Sequence, residues 1–134
     1  MLKKIDHLAI AVKDLQKEIE NYKKIPGFEF KGSEVVEEQK VTVAFFKIGD
    51  VYIELLEPLG EDSPISKFIE KRGGGLHHVA FETDNINDQI RSFKEQGFKM
   101  LNEEPKKGAH NAKIAFAHPK SFSGVLVEIK EKGE

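Results

Sequence analysis

The sequence predicts an α+β fold in which two tandem βαβββ modules form one curved mixed sheet, with helices outside and a cleft inside. Two observations predict it. The segment Ile5-Asp6-His7-Leu8-Ala9-Ile10 recurs as Leu76-His77-His78-Val79-Ala80-Phe81. Each copy is followed by a helical pattern and, tens of residues later, by an apolar strand pattern that carries one acid, at 51–56 and 125–129. Such repetition indicates two copies of one supersecondary unit.

The first module, about 3–60, begins with strand-like alternation over 3–12. Asp14 is a suitable N-cap for a helix, which Pro26-Gly27 ends. The patterns that follow predict three strands, at about 28–37, 41–48 and 51–57, with a hairpin turn at Gly49-Asp50.

A linker of about 62–75 holds a short helix, 65–71, that starts after Asp62-Ser63-Pro64, and Gly73-Gly74-Gly75 forms a flexible joint. The second module, about 76–131, repeats the order of the first. Its predicted elements are a strand at 76–83, a helix at about 85–96, an extended segment at 98–102, a loop at 103–112 with at most a short strand, and strands at 113–118 and 124–130.

The 134 residues suit a single domain, because halves of about 65 residues would be unstable alone and should share an interface. The formal charge of −2, without a long basic run, disfavours nucleic-acid binding. No apolar run approaches the ~18 residues of a membrane-spanning helix, and no signal peptide is recognisable. Cysteine is absent, which excludes disulfides and thiolate ligands. We therefore expect a cytoplasmic protein without membrane or nucleic-acid partners.

Four side chains have the same parity in the two copies. His7 and His78 lie on the strand face that also carries small alanines, opposite the bulky apolar face. Glu54 and Glu128 likewise point away from the apolar face of their strands. A carboxylate inside a concave sheet is costly unless it is paired or binds a cation. The duplication therefore predicts one divalent metal site with two nitrogen and two oxygen ligands, which suits cobalt or manganese, with nickel, zinc or iron possible.

Taken singly, each of these residues has an ordinary structural explanation, and only their repetition favours a metal site. His77 and Asp6 have the opposite parity and are interpreted as surface or helix-packing residues. His110 and His118 lie in a loop and at a strand end, where contact with a substrate is the less common role.

Several longer motifs carry a family resemblance. They are 5–12, Glu54-Leu55-Leu56-Glu57-Pro58-Leu59, Asp62-Ser63-Pro64-Ile65, Gly74-Gly75-Leu76-His77-His78-Val79-Ala80-Phe81, Gly108-Ala109-His110 and His118-Pro119-Lys120-Ser121. With these motifs the chain resembles the vicinal oxygen chelate (glyoxalase–dioxygenase) superfamily and, within it, the methylmalonyl-CoA epimerases. The resemblance covers almost the whole chain.

The resemblance implies that His7, Glu54, His78 and Glu128 bind the metal, the set that parity also indicates. It implies interconversion of (R)- and (S)-methylmalonyl-CoA through a metal-stabilised enolate, with Glu128 and then Glu54 as candidate acid–base residues. Some epimerases have a further glutamate on the third strand, but Val41-Thr42-Val43-Ala44 has none.

The same resemblance implies an acyl-CoA substrate and a homodimer. His110, Lys106 and Lys120 are the candidate substrate-binding residues, with Lys107 and Lys113 nearby in the sequence. Two alternatives stay open, a lactoylglutathione lyase (glyoxalase I) type isomerase and a metal-free binding protein of the same fold. The first would favour arginines for the glutathione carboxylates, and the chain has only Arg72 and Arg91.

Overall fold

The computed structural model describes all residues, 1–134, and its elements follow the predicted order. The chain forms three helices and eight strands, with runs of consecutive strands after the first and third helices, which confirms the α+β class. They are β1 (Leu2–Ala11), α1 (Leu15–Lys23), β2 (Glu29–Val36), β3 (Val41–Ile48), β4 (Val51–Pro58), α2 (Pro64–Arg72), β5 (Gly75–Thr83), α3 (Ile86–Glu95), β6 (Lys106–Lys107), β7 (Lys113–Ala117) and β8 (Val127–Glu131).

The chain divides into two compact units. The first unit is His7–His77, and the second unit is Met1–Asp6 together with His78–Glu134. The boundaries fall inside β1 and β5, so the first six residues of the chain belong with its C-terminal half. The prediction of a single domain stays a prediction.

In the first unit the strands lie in the order β2-β3-β4-β1, with β4 and β1 parallel and the other neighbours antiparallel. Helix α1 packs Leu15 and Ile19 against Phe46 and Leu55 of the sheet. Gly74, at φ 112°, lies so close to the carbonyl oxygen of Ala11 that a β-carbon there would be 3.0 Å from it. The glycine segment predicted as a flexible joint thus contains one position, Gly74, where the close approach of the Ala11 backbone requires a residue without a side chain.

In the second unit the order is β5-β8-β7-β6, with β5 and β8 parallel and the rest antiparallel. Helix α3 packs Ile86, Ile90 and Phe93 onto β7 and β8, around Ile129. Both units therefore repeat the βαβββ plan, as predicted.

The second unit has its predicted short strand and one wrong strand boundary. The two-residue β6 lies in the loop predicted at 103–112, and the extended segment 98–102 forms an isolated bridge between Met100 and Ala117. The last strand begins at Val127 rather than Gly124, because Ser123 and Gly124 both have positive φ and end a 3-10 turn instead.

No helix has the length and apolar character needed to cross a membrane.

Candidate metal centre

The first unit holds one histidine–glutamate pair. His7 on β1 and Glu54 on β4 are brought together by the parallel pairing of these strands, in which Ala9 lies directly opposite Glu54. The Nδ1 atom of His7 is 3.1 Å from Oε2 of Glu54. Both side chains are buried, and the methyl group of Ala9, itself fully buried, leaves room beside the carboxylate.

The second unit holds an equivalent pair. His78 on β5 and Glu128 on β8 are joined by the same parallel register, with Ala80 opposite Glu128. The Nε2 atom of His78 is 3.0 Å from Oε1 of Glu128, and their side chains are 6% and 5% exposed. The alanine two residues after each histidine is thus the neighbour of the acid in both units, which explains why small residues flank the histidines.

Each acid also has a phenylalanine on its other side, a feature that sequence reasoning missed. Phe45 on β3 is the register partner of Glu54, and Phe116 on β7 is the partner of Glu128. The ring of Phe116 meets the imidazole of His78 edge-on, with centroids 5.4 Å apart. Phe45 and Phe116 are 71 positions apart, the same spacing as His7 and His78, so the repeat itself contained the signal.

The donor atoms of both pairs suit a divalent first-row cation. Each pair presents an imidazole nitrogen and a carboxylate oxygen against an apolar wall, and Glu54 and Glu128 are 7% and 4% exposed. A buried carboxylate requires a compensating positive charge, which a metal ion supplies when the imidazole is neutral. These residue types match borderline ions such as cobalt, manganese, nickel, zinc or iron. The residues present therefore fit such an ion.

The structure gives different environments to His77 and Asp6, the residues that precede the candidate ligands His78 and His7. His77 packs its ring edge-on against Phe68 of α2, with centroids 4.9 Å apart, which confirms the interpretation as a helix-packing residue. The same interpretation of Asp6 is wrong. Asp6 is 4% exposed, and its Oδ2 accepts a hydrogen bond of 2.9 Å from Nζ of Lys130, a partner that parity alone could not identify.

The predicted substrate-binding residues all lie in the second unit at its surface. Lys106 is exposed on β6, and Lys120 is exposed in the 3-10 turn at 119–122, where its amide donates to Nδ1 of His118. His110 is exposed in the turn Ala109–Asn111 and has a left-handed backbone, with φ 54°. Their role in substrate binding stays a prediction.

The third strand of the first unit carries no acid beside Glu54. On β3 the register partner of Glu54 is Phe45, and the next residue on the same face in the N-terminal direction is Val43; they are 2% and 3% exposed. The carboxylate that the resemblance would place on this strand is therefore absent from the structure as well as from the sequence.

Comparison with known proteins gives a consistent picture. A sequence model described as the Glyoxalase/Bleomycin resistance protein/Dioxygenase superfamily matches residues 6–116. The chain is 43% identical over 131 residues to the mitochondrial methylmalonyl-CoA epimerase of Homo sapiens, covering 97% of this chain and 74% of that protein. It is 41% identical to the ethylmalonyl-CoA/methylmalonyl-CoA epimerase of Cereibacter sphaeroides, covering 98% and 99%.

The solved structures agree with the sequences. A single-substitution variant of the methylmalonyl-CoA epimerase of Streptomyces coelicolor, in complex with 2-nitronate-propionyl-CoA, has a TM-score of 0.94 and 39% identity, covering 99% of this chain and 96% of that one. These similarities confirm the resemblance that the sequence motifs indicated, in both fold and family.

Proposed function

We propose that the two histidine–glutamate pairs bind one divalent metal ion and that the protein epimerises methylmalonyl-CoA. The chain belongs to the Glyoxalase/Bleomycin resistance protein/Dioxygenase superfamily. One observation carries the proposal: the similarity to epimerases extends over 98% of this chain and 99% of the Cereibacter sphaeroides enzyme. The duplicated pairs give that similarity a chemical basis.

His7, Glu54, His78 and Glu128 would hold the ion. The same parallel register produces an equivalent pair in each unit, and the resemblance to the epimerases implies that the two pairs share a single ion. When bound, a divalent ion supplies Lewis acidity that stabilises the enolate of a thioester substrate.

Proton transfer requires acid–base groups of the protein itself. Removal and return of the α-proton on opposite faces of the carbon inverts its configuration, so two groups are needed. Glu128 and Glu54 are the candidates, because β3 offers only Val43 and Phe45 at the positions beside Glu54. Phe45 and Phe116, the cross-strand neighbours of Glu54 and Glu128, would shield the enolate from bulk water.

The CoA portion of the substrate carries phosphates, for which cations are the natural partners. Lys106, Lys120 and His110 are exposed in the second unit and would bind it. Lys106→Ala is expected to raise KM about threefold to tenfold with little change in kcat, because an exposed lysine binds ground state and transition state alike. Lys17→Ala, on the exposed side of α1, is the matched control. An unchanged KM for Lys106→Ala would remove that residue from the CoA site.

The function is tested with metal-stripped protein in deuterium oxide. We expect (R)- and (S)-methylmalonyl-CoA to interconvert and to take up deuterium at the α-carbon only after cobalt, manganese or another first-row ion is added back. Ethylmalonyl-CoA is the natural second substrate to compare. Consumption of methylglyoxal plus glutathione, without α-exchange of the acyl-CoA, would instead establish a glyoxalase I type isomerase, and binding without turnover of either would establish a binding protein.

A further inference from the structure

In the first unit, a second glutamate connects the strand of Glu54 to helix α1. The first amide of the helix, at Leu15, donates a hydrogen bond of 2.8 Å to Oε2 of Glu57 on β4. The usual N-cap is already present, because Oδ1 of Asp14 accepts from the amide of Lys17 at 3.2 Å. The first turn of a helix has unpaired amides, and Glu57 pairs one that the N-cap does not reach.

The second unit repeats this arrangement. The first amide of α3, at Ile86, donates a hydrogen bond of 2.9 Å to Oε1 of Glu131 on β8. Oδ1 of Asn85 caps the helix by accepting from the amide of Asp88 at 3.1 Å. In both units, therefore, the N-cap residue and a glutamate from a strand accept hydrogen bonds from different amides in the first turn of the helix.

The repetition ties these contacts to the histidine–glutamate pairs. Glu57 follows Glu54 by three residues, and Glu131 follows Glu128 by three. The amide that each one accepts from lies eight residues after the histidine of its pair. Because side chains alternate along a strand, each of the two outer glutamates points to the helix while the glutamate of the pair points to the imidazole.

We infer that Glu57 and Glu131 are positioning residues for the two pairs. Each hydrogen bond joins the strand that carries the glutamate ligand to the helix that continues from the histidine strand. It thereby reinforces the backbone pairing of the two strands, which sets how far along their common direction the two ligands lie. A carboxylate at a helix N-terminus is favourable for the helix dipole, which strengthens this link. A metal site needs its ligands held to within about 0.5 Å, so a loosened link weakens it.

The variants separate this role from ordinary helix capping. Glu57→Ala and Glu131→Ala remove the link, whereas Glu57→Gln and Glu131→Gln keep a carbonyl acceptor of the same length. Asp14→Ala and Asn85→Ala are matched controls, since each removes a cap from the same helix without touching the strand. Glu57→Asp and Glu131→Asp, which keep the charge on a side chain too short for the link, replace any alanine variant that fails to fold.

Two readouts are used, because the inference rests on the proposed function. The first is the affinity for Mn²⁺, measured by competition with a chelator. The second needs no metal: the ¹⁵N chemical shifts of the imidazoles in the metal-stripped protein at one fixed pH.

The expected result is specific to each unit. Glu57→Ala shifts the His7 imidazole signals and leaves those of His78 in place, while Glu131→Ala does the reverse. Each weakens Mn²⁺ binding about tenfold, the lower end of the cost of losing a residue hydrogen-bonded to a ligand, because neither glutamate contacts a ligand itself. The glutamine variants restore both readouts. The cap controls leave both unchanged.

The inference is overturned if the alanine variants, or the aspartate variants that replace them, keep the wild-type imidazole signals. It is equally overturned if the cap controls shift them as much. If the wild-type protein binds no Mn²⁺ but the imidazole signals of the variants still shift as expected, the proposed metal function is rejected and the positioning role stands.

Discussion

The two units place a histidine–glutamate pair by the same plan but surround it differently. In the first unit, β2 and β3 are eight-residue strands behind the pair, whereas in the second unit β6 has two residues and the rest of that segment is loop and turn. Lys130, which lies two residues after Glu128 and pairs with buried Asp6, has apolar Leu56 as its counterpart after Glu54. The pair thus depends on the central parallel strands, and the outer strands are free to diverge.

The comparison predicts that the two histidines are equally important. His7→Ala and His78→Ala should each lower epimerisation by about 10²–10³-fold, since either change removes a ligand and with it much of the electrostatic stabilisation of the transition state. Steady-state rates measured with added cobalt or manganese check this. His77→Ala, which removes a ring that packs on Phe68, is the control and should stay close to wild type. A large loss in only one of the two ligand variants would break the equivalence.

The buried ion pair between Asp6 and Lys130 is expected to make the stability of the second unit sensitive to a substitution that has no counterpart in the first unit. Asp6→Asn should lower the free energy of unfolding by about 3 kcal/mol, because it leaves the ammonium of Lys130 poorly compensated among buried groups. Urea unfolding at neutral pH measures it. Asp84→Asn, which breaks an exposed pair with the N-terminal amine, should have a much smaller effect. Equal results for the two variants would contradict the buried pair's importance.

A backbone contact distinguishes the linker of the first unit. Gly74→Ala should cost about 1–3 kcal/mol, because the backbone at φ 112° disfavours a side chain and the new methyl group would press on the carbonyl of Ala11. Gly49→Ala, also at positive φ but with open space around the new methyl group, should cost less. Thermal or urea unfolding of both variants gives the ranking, and a reversed order would contradict the packing described for Gly74.

The smallest expected effect is a pH dependence of stability, to which one carboxyl group with a lowered pKa contributes in each unit. Hydrogen bonding to Lys40 lowers the pKa of Asp62 in the first unit, and hydrogen bonding to the N-terminal amine lowers the pKa of Asp84 in the second. A lowered pKa in the folded state means stability that is present above the ordinary value of 3.8 and is lost as pH falls through the folded value. Asp62→Asn should therefore approach wild-type stability between pH 5 and about pH 3. A stability difference that grows over that range would have the wrong sign.

The sequence predicted most of the fold because the repeat marks the strands that matter. His7 and His78 stand in similar segments, so the module plan followed from the repeat and the parity of the pairs followed from alternation. The structure added Phe45 and Phe116, which have the spacing of the histidines and stand in the similar segments Val43-Ala44-Phe45 and Ile114-Ala115-Phe116.

What could not be predicted depends on contacts between distant residues. Asp6 and Lys130 are 124 positions apart, and nothing local indicates that they meet. The boundaries near Gly124 failed for a different reason: the apolar residues 125 and 126 continue the strand pattern, but left-handed Ser123 and Gly124 direct the chain into a turn. Turn geometry overrode the pattern.

The most direct test of the account is the metal stoichiometry of the folded chain. Titration of metal-stripped protein with cobalt or manganese, followed by elemental analysis, should give one ion per chain for the wild type and almost none for either His7→Ala or His78→Ala. Two ions per chain, or one ion retained in each single variant, would show that the two pairs act independently and would contradict a common centre.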